Sequence, residues 1–103
     1  MNKQLIDRLI EKNGRNKELI VCMEECAELI QAISKFIRYE WNDEYAGTFN
    51  LNRDNLVEEM ADVKICLQIL QSAFDIQDKD LENMEQIKED RLKFRYKLKE
   101  KNL

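Results

Sequence analysis

The sequence predicts an all-α protein, a four-helix bundle-like subunit folded as a single domain over residues 1–103. Three observations point there. The chain has no proline and only two glycines, Gly14 and Gly47, among good helix formers. Apolar residues recur at alternating spacings of three and four through most of its length. A composition of 44% hydrophobic and 37% charged residues suits amphipathic helices on one modest core rather than a disordered chain.

The elements follow in order. A short first helix spans about Lys3 to Lys12, with Leu5, Ile6, Leu9 and Ile10 as its apolar face and Asn13-Gly14 as its stop. The second runs from about Asn16, a candidate N-cap, to Glu40. Its apolar positions are Leu19, Ile20, Met23, Ala27, Ile30, Ile33 (or Ser34) and Ile37. From Trp41 to Asn52 that period breaks and polar residues collect, which reads as a loop long enough to serve as a lid. A third helix extends from about Arg53 to Phe74, capped by Asn52 or Asp54, with Val57, Met60, Val63, Leu67, Leu70 and Phe74 as its seam. After a polar link, Asp78 is a candidate N-cap for a fourth helix reaching about Lys99. Helices two and three form a natural antiparallel hairpin.

Charge and composition narrow the function classes. A net charge of −4 does not favour nucleic acid, although the stretch from Lys88 to Lys101 is strongly basic. No apolar run approaches the roughly 20 residues of a membrane span, and the first residues lack the apolar core of a secretory signal, so a cytoplasmic protein is expected. Cys22, Cys26 and Cys66 all fall inside helical runs and read as reduced, buried small residues. With no histidine, a thiolate metal site has no obvious fourth ligand.

The chemistry-bearing residues are acids. Glu24-Glu25-Cys26-Ala27-Glu28 and Glu58-Glu59-Met60-Ala61-Asp62 each set two carboxylates three apart, about one helical turn, inside otherwise apolar runs. Like charges so placed repel, and acids in an apolar stripe cost desolvation. In an antiparallel hairpin Glu25 and Glu28 can face Glu59 and Asp62, and a divalent cation relieves the repulsion. All-oxygen ligands suit Mg2+, with Mn2+ as substitute, and the missing histidine rules out a Glu-x-x-His di-iron bundle. The plainer reading is that these acids line a solvated helix face.

The two phrases also resemble a known signature. Glu24-Glu25-x-x-Glu28 followed by Glu59-x-x-Asp62, within Glu-Glu-Cys-Ala-Glu-Leu-Ile-Gln-Ala-Ile-Ser-Lys (24–35) and Asn-Leu-Val-Glu-Glu-Met-Ala-Asp-Val (55–63), is similar to the MazG-like superfamily of all-α nucleoside triphosphate pyrophosphohydrolases. The resemblance covers about residues 18–92. It implies Mg2+-dependent cleavage of an NTP or dNTP between the α- and β-phosphates, giving the monophosphate and pyrophosphate. Glu25, Glu28, Glu59 and Asp62 match the metal ligands, and Glu24 assists as a ligand or orients the attacking water. Lys88 and Arg91 match a Lys-x-x-Arg on the corresponding helix and, with Lys35 two turns beyond Glu28, are expected to contact the triphosphate. Arg38 and Arg95 stand behind them. Trp41, and less so Phe36, are candidates for stacking on the base, although a helical aromatic is more often core. The resemblance also implies a homodimer or homotetramer, with Phe94, Tyr96 and Leu98 available to cover a partner. Two other readings stay open: a catalytically silent helical interaction module, and phosphoribosyl-ATP pyrophosphohydrolase.

Overall fold

The computed structural model describes residues 1–40 and 49–99, the side chains of residues 39, 40, 49 and 50 aside. It contains four helices and, among the described residues, no strand: α1 (Lys3–Asn13), α2 (Arg15–Glu40), α3 (Phe49–Phe74) and α4 (Asp78–Tyr96). None of the helices is long and apolar enough to cross a membrane.

Each boundary has a local cause. Asn2 caps α1, its side-chain oxygen accepting from the Gln4 N–H at 2.7 Å. Gly14, at φ 88, ends α1 by donating to the Ile10 carbonyl at 2.8 Å. Its own carbonyl accepts from Glu18 N–H at 3.3 Å, so one glycine both stops α1 and starts α2. This displaces Asn16 as the N-cap. Asp75 ends α3 in the left-handed region (φ 52), and the next N–H, of Ile76, reaches back to the Gln71 carbonyl at 2.9 Å. That is the closing bond of a Schellman turn, with an aspartate where glycine is commoner. The N-cap of α4 is Gln77 rather than Asp78, with Asp80 Oδ2 accepting from Gln77 N–H at 2.9 Å.

The third helix starts four residues before the expected position, at Phe49, so 49–52 are helical rather than loop. The remainder of the expected loop, 41–48, lies outside the described residues.

α2 and α3 form the antiparallel hairpin, and α1 packs on both. The core is small. Ile6 of α1 is 1% exposed and sits with Cys22, Cys66 and Ile69, flanked by Leu9, Ile10 and Ile65. Polar bonds pin α1 along α3: the N-terminal amine of Met1 donates to Gln68 Oε1 at 2.9 Å, and Ser72 donates to Asp7. Glu18 is buried in the first turn of α2, where the helix dipole favours an acid, and accepts from Asn13 Nδ2 at 2.8 Å.

Two features depart from a simple apolar bundle. Among the described residues α4 makes no close backbone approach to α1–α3, touching α3 where Gln71 Nε2 donates to Asp78 Oδ1 at 2.9 Å, and none of its residues is buried. The seam of the hairpin is also not the expected apolar stripe. On α2 the buried or partly buried residues are Glu18, Leu19, Val21, Cys22, Glu25, Leu29, Ala32 and Phe36, with Cys22 and Glu25 meeting α3. Ile20, Met23, Ile30 and Ile37, read as its apolar face, are 54–72% exposed. On α3, Val57, Met60, Leu67 and Phe74 are likewise exposed, while Val63 and Leu70 are partly buried.

Because Ile6, 1% exposed, is the most completely enclosed apolar side chain among the described residues and lies on a helix that packs on both α2 and α3, truncating it should be costly. Ile6→Ala is expected to lower the unfolding free energy by about 2–4 kcal/mol, read as a shift of the urea midpoint. Leu5→Ala on the exposed face of the same helix should stay within about 0.5 kcal/mol.

Candidate metal centre

The register of the hairpin decides which acids meet. Cys22 Sγ lies 3.8 Å from the Cys66 carbonyl oxygen. One turn further along α2, and one turn back along α3, Glu25 comes opposite Asp62; a further turn brings Glu28 opposite Glu59. The carboxyl groups of Glu25 and Asp62 are within hydrogen-bonding reach of each other, as are those of Glu28 and Glu59. One carboxylate oxygen each from Glu25, Glu59 and Asp62 lie within 4.8 Å of one another, all three residues being half-buried. Glu28 touches this group from an exposed rim position.

Electrostatics leave the group under strain. Burial pushes the Glu25 carboxyl up to about 7, with Glu28, Asp62 and Glu59 adding repulsion. Glu59 is also raised, first by burial and then by Glu28, Asp62 and Glu58. The Oε2 atoms of Glu25 and Glu59 are buried with no hydrogen-bond partner. A buried carboxylate oxygen without a donor is expensive, and two on one seam are unusual in a well-satisfied fold. These orphaned oxygens, in an all-oxygen donor set without nitrogen or sulfur, fit a hard divalent cation of the Mg2+ or Mn2+ type.

The other expected site residues fall differently. Glu24 is exposed and is not one of the three acids that converge. Lys35 is exposed on α2, seven residues beyond Glu28, and so on the same flank of the helix. Phe36 is half-buried on α2. Arg38 is exposed, its Nε donating to the Ser34 carbonyl at 3.4 Å. Lys88 and Arg91 are exposed on α4, which packs on neither helix carrying the acids, so a single chain does not bring them to the cluster. Arg95 lies 6.0 Å over the Tyr96 ring. Trp41 lies outside the described residues.

The thiols depart from expectation at one position: Cys22 and Cys66 are buried, but Cys26 is exposed. Burial raises both enclosed thiols, Cys66 to about 12, which keeps them protonated and inert beside the acids. Sequence reasoning did not single out their contact across the seam; the signal was the apolar i, i+4 spacing of Cys22 and Cys26, which marks a face without naming its neighbour.

Comparison with family models, with curated proteins and with solved structures returns no match.

The raised carboxyls fix the sign of a pH dependence. Glu25 takes up its proton more readily in the folded protein than in the unfolded chain, whose value is near 4.5. The folded state therefore holds the extra proton between about 4.5 and about 7, and stability falls as pH rises through that window. In chelator without divalent cations, the melting temperature should be higher at pH 5 than at pH 8. Glu25→Gln should raise it at pH 8, by on the order of 4 °C, and flatten the profile.

Proposed function

We propose that this protein is a Mg2+-dependent nucleoside triphosphate pyrophosphohydrolase, acting on an NTP or dNTP to give the monophosphate and pyrophosphate. The observation that carries the reading is the convergence of Glu25, Glu59 and Asp62 around two buried, unpartnered carboxylate oxygens. The similarity of both acidic phrases to the MazG-like signature supplies the substrate class.

Glu25, Glu59 and Asp62 would hold the cation, with Glu28 at the rim. A magnesium ion held there supplies Lewis acidity toward the phosphoryl oxygens and a bound water of lowered pKa. The protein's own groups do the remainder. Two helices fix the acids before substrate arrives, so their orientation is not lost to solvent reorganisation. Glu28, exposed beside Glu59, is placed to accept the proton that water gives up as it adds to phosphorus while the α–β bridge breaks. Lys35 offers an ammonium to the triphosphate along the same flank of α2. Lys88 and Arg91 enter the reading through the resemblance alone.

The test couples binding to turnover. Incubated with Mg2+ and a panel of dNTPs, NTPs and phosphoribosyl-ATP, the wild type is expected to release pyrophosphate from nucleoside triphosphates. Glu59→Gln should lose at least ~100-fold of that rate, a ligand mattering no less than the outer-sphere partners that orient it. Millimolar Mg2+ should raise the melting temperature of the wild type and leave that of Glu59→Gln unmoved. No thermal shift with Mg2+ or Mn2+, together with no pyrophosphate from any substrate, would leave the helical interaction module in its place. Release from phosphoribosyl-ATP alone would reassign the substrate.

A further inference from the structure

A cavity of about 650 Å³ lies where the start of α1, the end of α3 and the start of α4 meet. That volume is in the range of small-molecule sites. Its wall on α3 begins at Gln68, six residues beyond Asp62, so about 9 Å of helix separates it from the acid group. The two sites are distinct.

Three aspartates from three elements line the cavity: Asp7 on α1, Asp75 in the link and Asp78 on α4. Each is held through one oxygen by a neutral donor. Asp7 accepts from the Ser72 hydroxyl, Asp75 from Gln77 Nε2 at 2.8 Å, and Asp78 from Gln71 Nε2 at 2.9 Å. Donors of this kind fix the direction of a carboxylate without cancelling its charge. Among the described residues, the second oxygen of each has no donor. Lys3 and Lys79 line the same cavity, exposed and without an ion-pair partner among the described residues. Ile6 and Ile76 supply its apolar surface.

These groups discriminate among ligands. A bare metal ion is a poor match, because none of the three aspartates belongs to the acids that converge within 4.8 Å. A simple anion would suit the lysines but be repelled by the acids, and a polyamine the reverse. What fits is a molecule with a doubly charged anion for two ammonium groups, several O–H or N–H donors for separated carboxylate oxygens, and an apolar plate. We propose that this cavity binds a nucleoside monophosphate. Lys3 and Lys79 hold the phosphate as mobile point charges. The free aspartate oxygens accept from the ribose hydroxyls and the N–H groups of the base, and the base lies on Ile6 and Ile76. No divalent cation is needed, and the acid group on the seam takes no part.

Such a ligand bridges α1 and α4. Among the described residues α4 is otherwise joined to the hairpin through the link and the Gln71–Asp78 bond, so occupancy fixes the direction in which α4 leaves α3.

Isothermal titration of the full chain with AMP, GMP, CMP and UMP, in chelator and without divalent cations, tests this. At least one of them is expected to bind, with its nucleoside and inorganic phosphate each weaker by about tenfold or more. Lys3→Glu and Lys79→Glu, both at exposed positions, should each weaken binding by roughly tenfold or more, with helical content unchanged by circular dichroism. Glu59→Gln should bind as the wild type does. Amide exchange in the first turn of α4 should slow on binding. Absence of binding by all four nucleotides would overturn the proposal. So would binding that inorganic phosphate alone matches, or binding that Glu59→Gln abolishes and the two lysine variants retain. Because the readout contains neither Mg2+ nor turnover, its failure leaves the hydrolase reading standing, and a chain that releases no pyrophosphate can still bind here.

Discussion

The structure depends on one arrangement: two acidic helical turns meeting across the α2–α3 seam, one helical turn from its best-packed point. Cys22, Cys66, Ile69 and Ile6 hold the seam closed. That closure forces Glu25, Glu59 and Asp62 together and buries an oxygen of two of them without a donor. The raised Glu25 and Glu59 carboxyls are the electrostatic record of that compression. Small residues make the approach possible. Cys22, Cys66 and Ala32 are buried at the seam, and their short side chains let the backbones come close enough for carboxylates on facing helices to touch.

The number and order of the helices were legible in the chain, because four apolar-periodic segments are separated by Asn13-Gly14, a polar middle stretch and Asp75–Asp78. The pairing of Glu25 and Glu28 with Glu59 and Asp62 was legible for a stricter reason. Two i, i+3 acid pairs on antiparallel helices have few registers in which neither is wasted. What failed was the assignment of faces. Of the periodic positions on α2, Leu19, Ile20, Met23, Ala27, Ile30, Ile33 and Ile37, only Leu19 is even partly buried; the protomer encloses Glu18, Cys22 and Ala32 and partly buries Val21, Glu25, Leu29 and Phe36. Periodicity reports that a face is apolar; it does not say whether the neighbour belongs to the same chain.

The misplaced starts have a similar origin. Asn50 and Asn52 argued for a loop because asparagine competes for backbone hydrogen bonds, yet α3 begins at Phe49. Propensity of this kind amounts to a few tenths of a kcal/mol per residue and gives way to tertiary packing; Asn52 is half-buried in the result. The α4 residues Lys88 and Arg91 show the opposite limit. Their spacing identifies a helix face correctly, but the direction in which α4 leaves the link at Asp75–Gln77 is set by a left-handed aspartate and a capping interaction, and no apolar pattern encodes that angle.

These faces divide the work of the hairpin. The inner seam is short of apolar residues because part of it is given to carboxylates, so α1 must supply Ile6, Leu9 and Ile10 to complete a core. A hairpin whose inner surface carries charge cannot draw its stability from that surface alone. The more charge the seam is asked to hold, the more the fold must gain from burial elsewhere, and α1, with Ile6 laid over Cys22, Cys66 and Ile69, is where this protomer gains it.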